Sequence, residues 1–284
     1  MTDNGIIRSP GSRRQFLKSG ALFMASVAGL RSAAAYAQRM TPMVKRNPTA
    51  AERQMVHDYH TKGTKILFQS DFRSQTEFEK NWTVFTDNRS DLKACRTAKS
   101  LSISDQGLSI NTVAADHCIA KWSTGEIISK QAFQYGLYEA YMNIAHGVGV
   151  DNAFWLTSQG DLNDGSGDSF EIDIAEVYYP GLIRSTLHRH NLHKGFDLYE
   201  TGYDNRTQKN LAAGFHDYGI LWTPDTIIFC LDGVAFQTIE TKGTINVPAN
   251  LRLSTALGPA FGGNPPDDPT GLTMQVRHVR VVGL

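Results

Sequence analysis

Three carboxylates lie within six consecutive residues of the chain, Glu171-Ile172-Asp173-Ile174-Ala175-Glu176. In a β-strand, residues i and i+2 share a face, so Glu171 and Asp173 point one way while the isoleucines that alternate with them point into the core. Glu176 breaks this alternation, because a regular strand would turn it toward the core, where a carboxylate is costly. One β-bulge near Ala175 would return Glu176 to the face of the other two acids. The spacing therefore predicts a bulged strand that presents three carboxylates on one side.

The outer pair of acids, Glu171 and Glu176, has a spacing suited to the hydrolysis of glycosides. Across one bulge their α-carbons are roughly 13 Å apart, and each side chain can lean about 4 Å toward the other. The remaining gap matches the separation of about 5–5.5 Å between the carboxyl groups of a retaining glycosidase, in which one attacks the sugar and the other donates a proton. Asp173 between them would share a proton or a hydrogen bond with Glu171 and raise the pKa of Glu176, as an acid catalyst at neutral pH requires. The alternatives are an exposed acidic strand and a divalent-cation site.

Short strands must position these acids. After residue 63, runs of β-branched and aromatic residues recur between Gly, Asn, Asp and Pro, and no segment keeps a 3.6-residue apolar period. The runs are Lys65–Phe68, Leu108–Thr112, Tyr135–Ile144, Ala153–Thr157, Phe170–Val177, Ile183–His188, Tyr218–Trp222, Thr226–Leu231, Leu251–Leu257 and Met274–Val282. Asp232-Gly233, between Ile227–Leu231 and Val234–Ile239, is a tight-hairpin signal. This pattern predicts one all-β sandwich or jelly roll over residues 63–284.

The acidic strand and its surroundings resemble glycoside hydrolase family 16. E-I-D-I-x-E is similar to the family signature in its bulged form, which has two residues between Asp and the last Glu. Other stretches of the chain also resemble parts of this family: Ile128-Ser129-Lys130, Tyr135-Gly136-Leu137-Tyr138-Glu139-Ala140, Ala153-Phe154-Trp155-Leu156, His216–Asp225 and Leu231-Asp232-Gly233. The resemblance implies a concanavalin A-like jelly roll with a glycan cleft on its concave face. It also implies that Glu171 is the nucleophile, Asp173 its assistant and Glu176 the acid/base.

Two further residues are candidates for substrate binding. Trp155 resembles a family tryptophan that floors a sugar subsite, a role suited to an aromatic face, although a strand tryptophan is more often in the core. His188 resembles a family histidine near the acid/base and would hydrogen-bond a sugar or tune Glu176. A zinc site at His188, His190 and His193 is disfavoured, because only the first two share a strand face and no cysteine or carboxylate completes the set. The Gly-, Pro- and Asp-rich segment Gly258–Asp268 is expected to be a rim loop that influences substrate choice.

The resemblance implies an endo-acting, retaining β-glycan hydrolase without an organic cofactor, similar in part to β-1,3(1,4)-glucanases. A transglycosylase is the nearest alternative, because a sugar instead of water can intercept the same covalent intermediate. A non-catalytic glycan-binding jelly roll and a structural calcium-binding domain are the others. Relatives often have an acid near the last strand that helps to bind structural calcium, and Arg277 lies about where that acid would be. The family's calcium site is therefore disfavoured but stays open, and no other metal is expected.

The first 37 residues have the pattern of a twin-arginine export signal. Arg13-Arg14 is followed by Phe-Leu-Lys, an apolar run of about 12 residues and the A-x-A-like site Ala35-Tyr36-Ala37. The run is shorter than the roughly 20 residues that span a bilayer, so no membrane anchor is expected. We expect a periplasmic or secreted protein, with a polar leader over residues 38–62 that packs on the body or stays loose and contains a short helix over Ala50–His60.

Charge and cysteine content limit the partners and the redox state. Of the 28 basic and 28 acidic residues, residues 1–38 hold five basic and one acidic, which leaves 23 basic and 27 acidic in the mature chain. A mildly acidic body argues against a nucleic-acid partner, so a polysaccharide is the expected partner of a monomeric protein. Cys95 and Cys118 are able to pair in an oxidising compartment, but the sequence leaves this open, and Cys230 is predicted to be a buried apolar residue.

Overall fold

Every run of β-branched and aromatic residues identified in the sequence is a strand in the computed structural model, which describes residues 43–89, 92–116, 118–191 and 196–284. The strands are β1 (Val44–Arg46), β2 (Ile66–Ser70), β3 (Trp82–Phe85), β4 (Ala94–Arg96), β5 (Leu101–Ser104), β6 (Gly107–Asn111), β7 (Val113–Ala114), β8 (Trp122–Thr124), β9 (Glu126–Phe133), β10 (Gly136–Asn143), β11 (Val150–Ser158), β12 (Ser169–Tyr178), β13 (Leu182–Asn191), β14 (Phe196–Arg206), β15 (His216–Trp222), β16 (Thr226–Leu231), β17 (Val234–Glu240), β18 (Ala249–Leu257) and β19 (Thr273–Val282). The helices are α1 (Ala50–Lys62) and α2 (Gln75–Asn81), with 3₁₀ turns at Ala98–Ser100 and Leu211–Ala213. The predicted export signal lies outside the described residues.

The strands form two large sheets and one small sheet. One large sheet has the order β1-β17-β16-β15-β10-β19-β6-β5, with β2 also paired to β19, and the other has the order β14-β13-β12-β11-β18-β9-β3. Apolar side chains from the facing sides of the two sheets form one large core cluster, which includes Phe154, Ile172, Ile220, Phe229 and Leu253. The fold is the predicted all-β jelly-roll sandwich, and β12 lies inside the seven-stranded sheet rather than at its edge.

The hairpin between β16 and β17 has the predicted geometry. Asp232 and Gly233 have φ values of 51° and 70°. Positive φ at both central positions defines the type I′ turn, whose twist matches that of the strands it joins. The turn holds Leu231 opposite Val234 and so sets the register of these two strands.

The described part of the leader packs on the outer side of the nine-stranded sheet. The predicted short helix is α1, which begins with a capping box between Thr49 and Glu52. Val56 of α1 is fully buried in a cluster with apolar residues of β10, β15, β16, β17 and β19. His60 Nδ1 lies 2.6 Å from an oxygen of the buried Glu139, and Arg280 donates to the other oxygen of that carboxylate at 2.7 Å. Residues 43–62 therefore belong to the folded unit, whereas the boundary at residue 62 stays a prediction.

Replacing Val56 with alanine tests how much this packing contributes. The change removes two buried methyl groups and is expected to lower the free energy of unfolding by about 1–3 kcal/mol. Met55→Ala on the same helix is the matched control, because Met55 is 39% exposed. Urea denaturation of both variants gives the comparison. Equal losses for the two variants would mean that the packing of α1 adds little.

A small third sheet was not predicted. It consists of β4, β8 and β7, and the disulfide Cys95–Cys118 links β4 to the segment before β8. Such short strands have too few residues to show an alternating pattern, which explains why they were missed. The disulfide that the sequence left open is present, and Cys230 is buried as predicted. Within the described residues, none of the helices has both the length and the apolar character needed to cross a bilayer.

Candidate active site

The strand β12 contains the predicted bulge. On one side Phe154 pairs with Ala175 and Trp155 pairs with Asp173, so one residue of β12 is extra. On the other side the register shifts between Asp173 and Glu176. Ile174 and Ala175 are both 1% exposed and pack in the core, whereas Glu171 and Glu176 are partly exposed. The bulge therefore places two consecutive side chains inside and returns Glu176 to the side of Glu171 and Asp173.

The neighbouring strands extend this side into a continuous surface, here called the cleft face. On β13 the partners of the three acids, from Glu171 to Glu176, are His188, Thr186 and Arg184. On β11 the corresponding partners are Thr157, Trp155 and Ala153. On β18, Asn250, Arg252 and Ser254 follow in the same rows. The cleft face thus brings together all five residues that the sequence predicted for the site: Glu171, Asp173, Glu176, Trp155 and His188.

His188 is a hydrogen-bond partner of Asp173. Its Nε2 lies 3.0 Å from Asp173 Oδ2, and Nδ1 lies 3.8 Å from a carboxylate oxygen of Glu200. Burial lowers the pKa of His188, but the hydrogen bond to Asp173 and the surrounding carboxylates outweigh it and raise that pKa to about 9. At neutral pH a charged His188 therefore neutralises part of the acidic cluster. The contact with Asp173 was not among the predicted roles of His188, and both of those roles, contact with a sugar and tuning of Glu176, stay predictions. A hydrogen bond between Asp173 and Glu171 also stays a prediction.

The raised pKa of His188 predicts a pH-dependent contribution to stability. Because the folded state holds the proton more tightly than the unfolded state, this contribution is complete below about pH 6.5 and is lost as pH rises through about 9. His188→Gln is expected to remove it, so that the stability difference between wild type and variant shrinks from pH 6 to pH 10. Denaturation at several pH values measures this difference. A difference that does not change with pH would contradict the Asp173–His188 ion pair.

Glu176 lies in a buried environment with a second carboxyl group that the sequence analysis missed. Asp151 of β11 is hydrogen-bonded to Glu176, and the Tyr178 hydroxyl lies 3.4 Å from Glu176 Oε1. Burial and the negative charges of Asp151 and Asp173 raise the pKa of Glu176, although Arg184 opposes them. The predicted rise is thus present, but burial and Asp151 contribute more than Asp173. The alternation Asp151, Ala153, Trp155 was the available signal, because it puts Asp151 on the same face as Trp155.

Trp155 lies on the cleft face, but part of its ring is already covered. The guanidinium of Arg252 lies 4.2 Å from the Trp155 ring centroid, and the indole N–H donates to Ser254 Oγ at 3.0 Å. Arg252 in turn donates to the buried Glu126 of β9. A sugar can therefore reach Trp155 only on the surface that Arg252 leaves open, and the subsite role of Trp155 stays a prediction. Arg252 was missed because nothing in its local sequence distinguishes it from a solvated strand arginine.

The segment Gly258–Asp268 borders the end of the cleft face near Glu176. Phe261 packs against Tyr178 with ring centroids 5.7 Å apart, and its carbonyl accepts a hydrogen bond from Gly149. This placement agrees with a rim loop, while its influence on substrate choice stays a prediction. Trp222 is fully buried against Tyr138 and Phe170, so it is a core residue.

One group of side chains in the described residues has the geometry to hold a cation. Single ligand atoms of Glu171, Asp173 and His188 lie within 4.8 Å of one another. An ion at this point would occupy the carboxylates predicted to carry the chemistry, and the Asp173–His188 hydrogen bond already uses two of the three groups. His193, the third histidine weighed as a zinc ligand, lies outside the described residues. Arg277, which takes the place of the calcium-binding acid of the family resemblance, packs over the Phe215 ring at 4.1 Å.

Comparison with known proteins identifies a family and relatives that the sequence resembles. The family model for glycosyl hydrolases family 16 matches residues 72–276. The endo-1,3-1,4-β-glycanase EglC of Rhizobium meliloti is 25% identical over 200 residues, which are 66% of this chain and 40% of that protein. The xyloglucan endotransglucosylase/hydrolase protein 3 of Arabidopsis thaliana is 28% identical over 134 residues, covering 45% of this chain and 42% of its own length. The chain thus spans about two fifths of these relatives.

Among solved structures, LamAcat from Zobellia galactanivorans has the same fold. The two superpose with a TM-score of 0.66 at 18% identity, covering 78% of this chain and 99% of that one. At this identity the match supports the fold, and the chemistry has to be argued from the residues of the cleft face.

Proposed function

The chain belongs to glycosyl hydrolases family 16, and on that premise we propose that it is an endo-acting, retaining hydrolase of a β-glucan. The observation that carries the proposal is the bulge in β12, which puts Glu171 and Glu176 on one face with Asp173 between them. Two carboxyl groups on one face, one with a raised pKa, suit double displacement at an anomeric carbon.

In the first step of the proposed mechanism, Glu171 and Glu176 act together. The carboxylate of Glu171 attacks the anomeric carbon and forms a glycosyl ester while the bond to the glycosidic oxygen breaks. Protonated Glu176 gives its proton to that oxygen, so the remainder of the glucan leaves as an alcohol. The raised pKa of Glu176 keeps this proton available at neutral pH.

In the second step the roles of the same two residues reverse. Glu176, now ionised, removes a proton from a water molecule that attacks the anomeric carbon, and Glu171 leaves as a carboxylate. Two inversions give a product with the β configuration of the substrate. Asp173 lies beside Glu171 and is hydrogen-bonded to charged His188. The positive charge of His188 compensates the negative charge of Asp173.

The proposed substrate is a β-glucan with β-1,3 or mixed β-1,3 and β-1,4 linkages. The name of the Rhizobium meliloti relative states endo-1,3-1,4-β-glycanase activity. Transglycosylation is a second candidate, favoured by the likeness to the Arabidopsis thaliana endotransglucosylase/hydrolase. A lectin or a calcium-binding domain would have no use for a half-buried Glu176 with a raised pKa beside a bulge.

An assay of bond cleavage on a panel of glycans tests the proposal. Purified protein is incubated with laminarin, mixed-linkage glucan, xyloglucan, agarose and carrageenan, and new reducing ends and product sizes are measured. We expect a rapid fall in chain length of a β-glucan, since endo-acting enzymes cut within chains. Products longer than the substrate, without new reducing ends, would indicate transglycosylation. Tight binding with no cleavage of any glycan would contradict both activities.

We also propose that the protein is exported through the twin-arginine pathway to the periplasm or the medium. The Arg13-Arg14 motif with its apolar run supports this, and the Cys95–Cys118 disulfide suits an oxidising compartment. Cell fractionation of the full chain and of a variant with both arginines changed to lysine tests it. Retention of the variant in the cytoplasm is expected, while equal export of both would contradict this route.

A further inference from the structure

Asp151 is a buried carboxyl group to which the proposed mechanism assigns no part. It lies on β11, two residues from Ala153, which pairs with Glu176. The carboxyl groups of Asp151 and Glu176 are hydrogen-bonded. Asp151 is only 8% exposed, and its Oδ1 is buried without a hydrogen-bond partner.

A hydrogen bond between two carboxyl groups requires a proton on one of them, because an ionised carboxylate only accepts. Burial and the charge of Asp173 raise the pKa of Asp151, and burial and the charge of Asp151 raise that of Glu176 further. The proposed mechanism needs the proton on Glu176 as the acid, and in that state Glu176 donates to Asp151. An unpaired buried carboxylate would be costly at this position, so the donated hydrogen bond also accounts for the presence of Asp151.

We propose that Asp151 is a positioning residue that holds the catalytic proton on Glu176 by accepting its hydrogen bond. This rests on the proposed function of Glu176 as acid and base. When Glu176 protonates the glycosidic oxygen, the hydrogen bond to Asp151 is lost and two carboxylates face each other. Their repulsion makes Glu176 a stronger base, which then removes a proton from water and restores the hydrogen bond.

Other charged and titratable groups also act on this pair. Asp173 and Tyr178 lie on β12, Arg184 on β13 and Arg96 on β4. Arg184 is bound on its other side by Asp204 at 2.8 Å, and Arg96 by Asp87 at 3.1 Å and by Glu126 at 2.9 Å. Both arginines are thus largely neutralised by other partners. Tyr178 is also hydrogen-bonded to Glu176, but its hydroxyl donates to Oε1 at 3.4 Å, whereas Asp151 accepts.

The test is a titration of Glu176 in the intact protein by carboxyl-carbon NMR with labelled glutamate. The Glu176 signal is assigned by its loss in Glu176→Gln. Asp151→Asn keeps the shape but places an amide beside Glu176, so the pKa of Glu176 is expected to fall by at least about one unit, a tenfold change in acid dissociation. Asp105→Asn, in an exposed turn, is the matched control and should leave the titration unchanged. Asp151→Ser gives the same readout if the asparagine variant fails to fold.

A Glu176 titration that is the same in wild type and in the Asp151 variants would overturn the proposal, even if the protein cleaves glucan. The NMR readout needs no substrate, so it tests the role of Asp151 separately from the proposed function. Absence of glycanase activity would refute the proposed function, but the titration of Glu176 could still be measured. In an active protein, the alkaline limb of kcat/KM is expected to move to lower pH by the same amount in Asp151→Asn. A purely structural role of Asp151 would lower the free energy of unfolding but would not move that limb.

Discussion

Replacing Glu171 with glutamine is expected to reduce kcat/KM on a β-glucan by at least about a thousandfold, because the neutral amide cannot form the glycosyl ester. The side chain keeps its size, so substrate binding should change little and the loss should fall on kcat. Reducing-end assays with high enzyme concentrations measure the residual rate. Glu79→Gln on the exposed side of α2 is the matched control and should retain full activity.

Azide provides a second test of the role of Glu171. In Glu171→Ala, azide is able to occupy the space of the lost carboxylate and attack the anomeric carbon from the same side. The expected product is a glycosyl azide of α configuration, formed with partial recovery of the rate. Full activity of Glu171→Gln, or no effect of azide on the alanine variant together with a β product, would show that another group is the nucleophile.

Replacing Glu176 with glutamine is expected to give the second largest loss, about 10²–10⁴-fold on glucan, because the leaving oxygen is no longer protonated. The loss should depend on the leaving group, since a dinitrophenolate departs without a proton. We therefore expect the first step on a dinitrophenyl β-glycoside to be nearly unaffected. Measurement of the burst of dinitrophenolate separates this step from the slow hydrolysis of the ester.

The comparison of the two variants on the two substrates is informative. Glu171→Gln should lose activity on both substrates, whereas Glu176→Gln should lose it mainly on the glucan. An equal loss on both substrates in Glu176→Gln would contradict its assignment as the acid. In wild type, activity on the glucan should fall as pH rises through the raised pKa of Glu176, because only the protonated form donates.

The sequence was sufficient to predict the carboxylate strand, because Glu176 is the one acid that departs from the two-residue alternation and a β-bulge accounts for that departure. A glutamate turned toward the core is costly, so the bulge near Ala175 followed from spacing alone, and the registers of β11 and β13 confirm it. The hairpin at Asp232-Gly233 and the strands of the two large sheets were predictable for a similar reason. Their apolar runs are long enough to show a pattern.

Features that depend on contacts between distant strands were not predictable. The alternation along β11 puts Asp151 on the cleft face. Nothing in the local sequence indicates that Asp151 will be buried against Glu176, which lies 25 residues away along the chain. The partner of His188 was uncertain between a sugar and Glu176. The structure pairs His188 with Glu171 across the strands, and the ring hydrogen-bonds Asp173. Arg252 over Trp155 likewise depends on the pairing of β18 with β11. In each case the sequence gives the residue type but does not predict which residue of another strand it contacts.

The most direct test of the central claim is the configuration of the first product. Proton NMR during the first minutes of hydrolysis of a β-glucan oligosaccharide distinguishes the two anomers before they equilibrate. If Glu171 and Glu176 act by double displacement, the β-anomer signal should appear first and the α-anomer only later, through mutarotation. Initial appearance of the α-anomer would indicate a single displacement by water and would contradict the assignment of Glu171 as nucleophile.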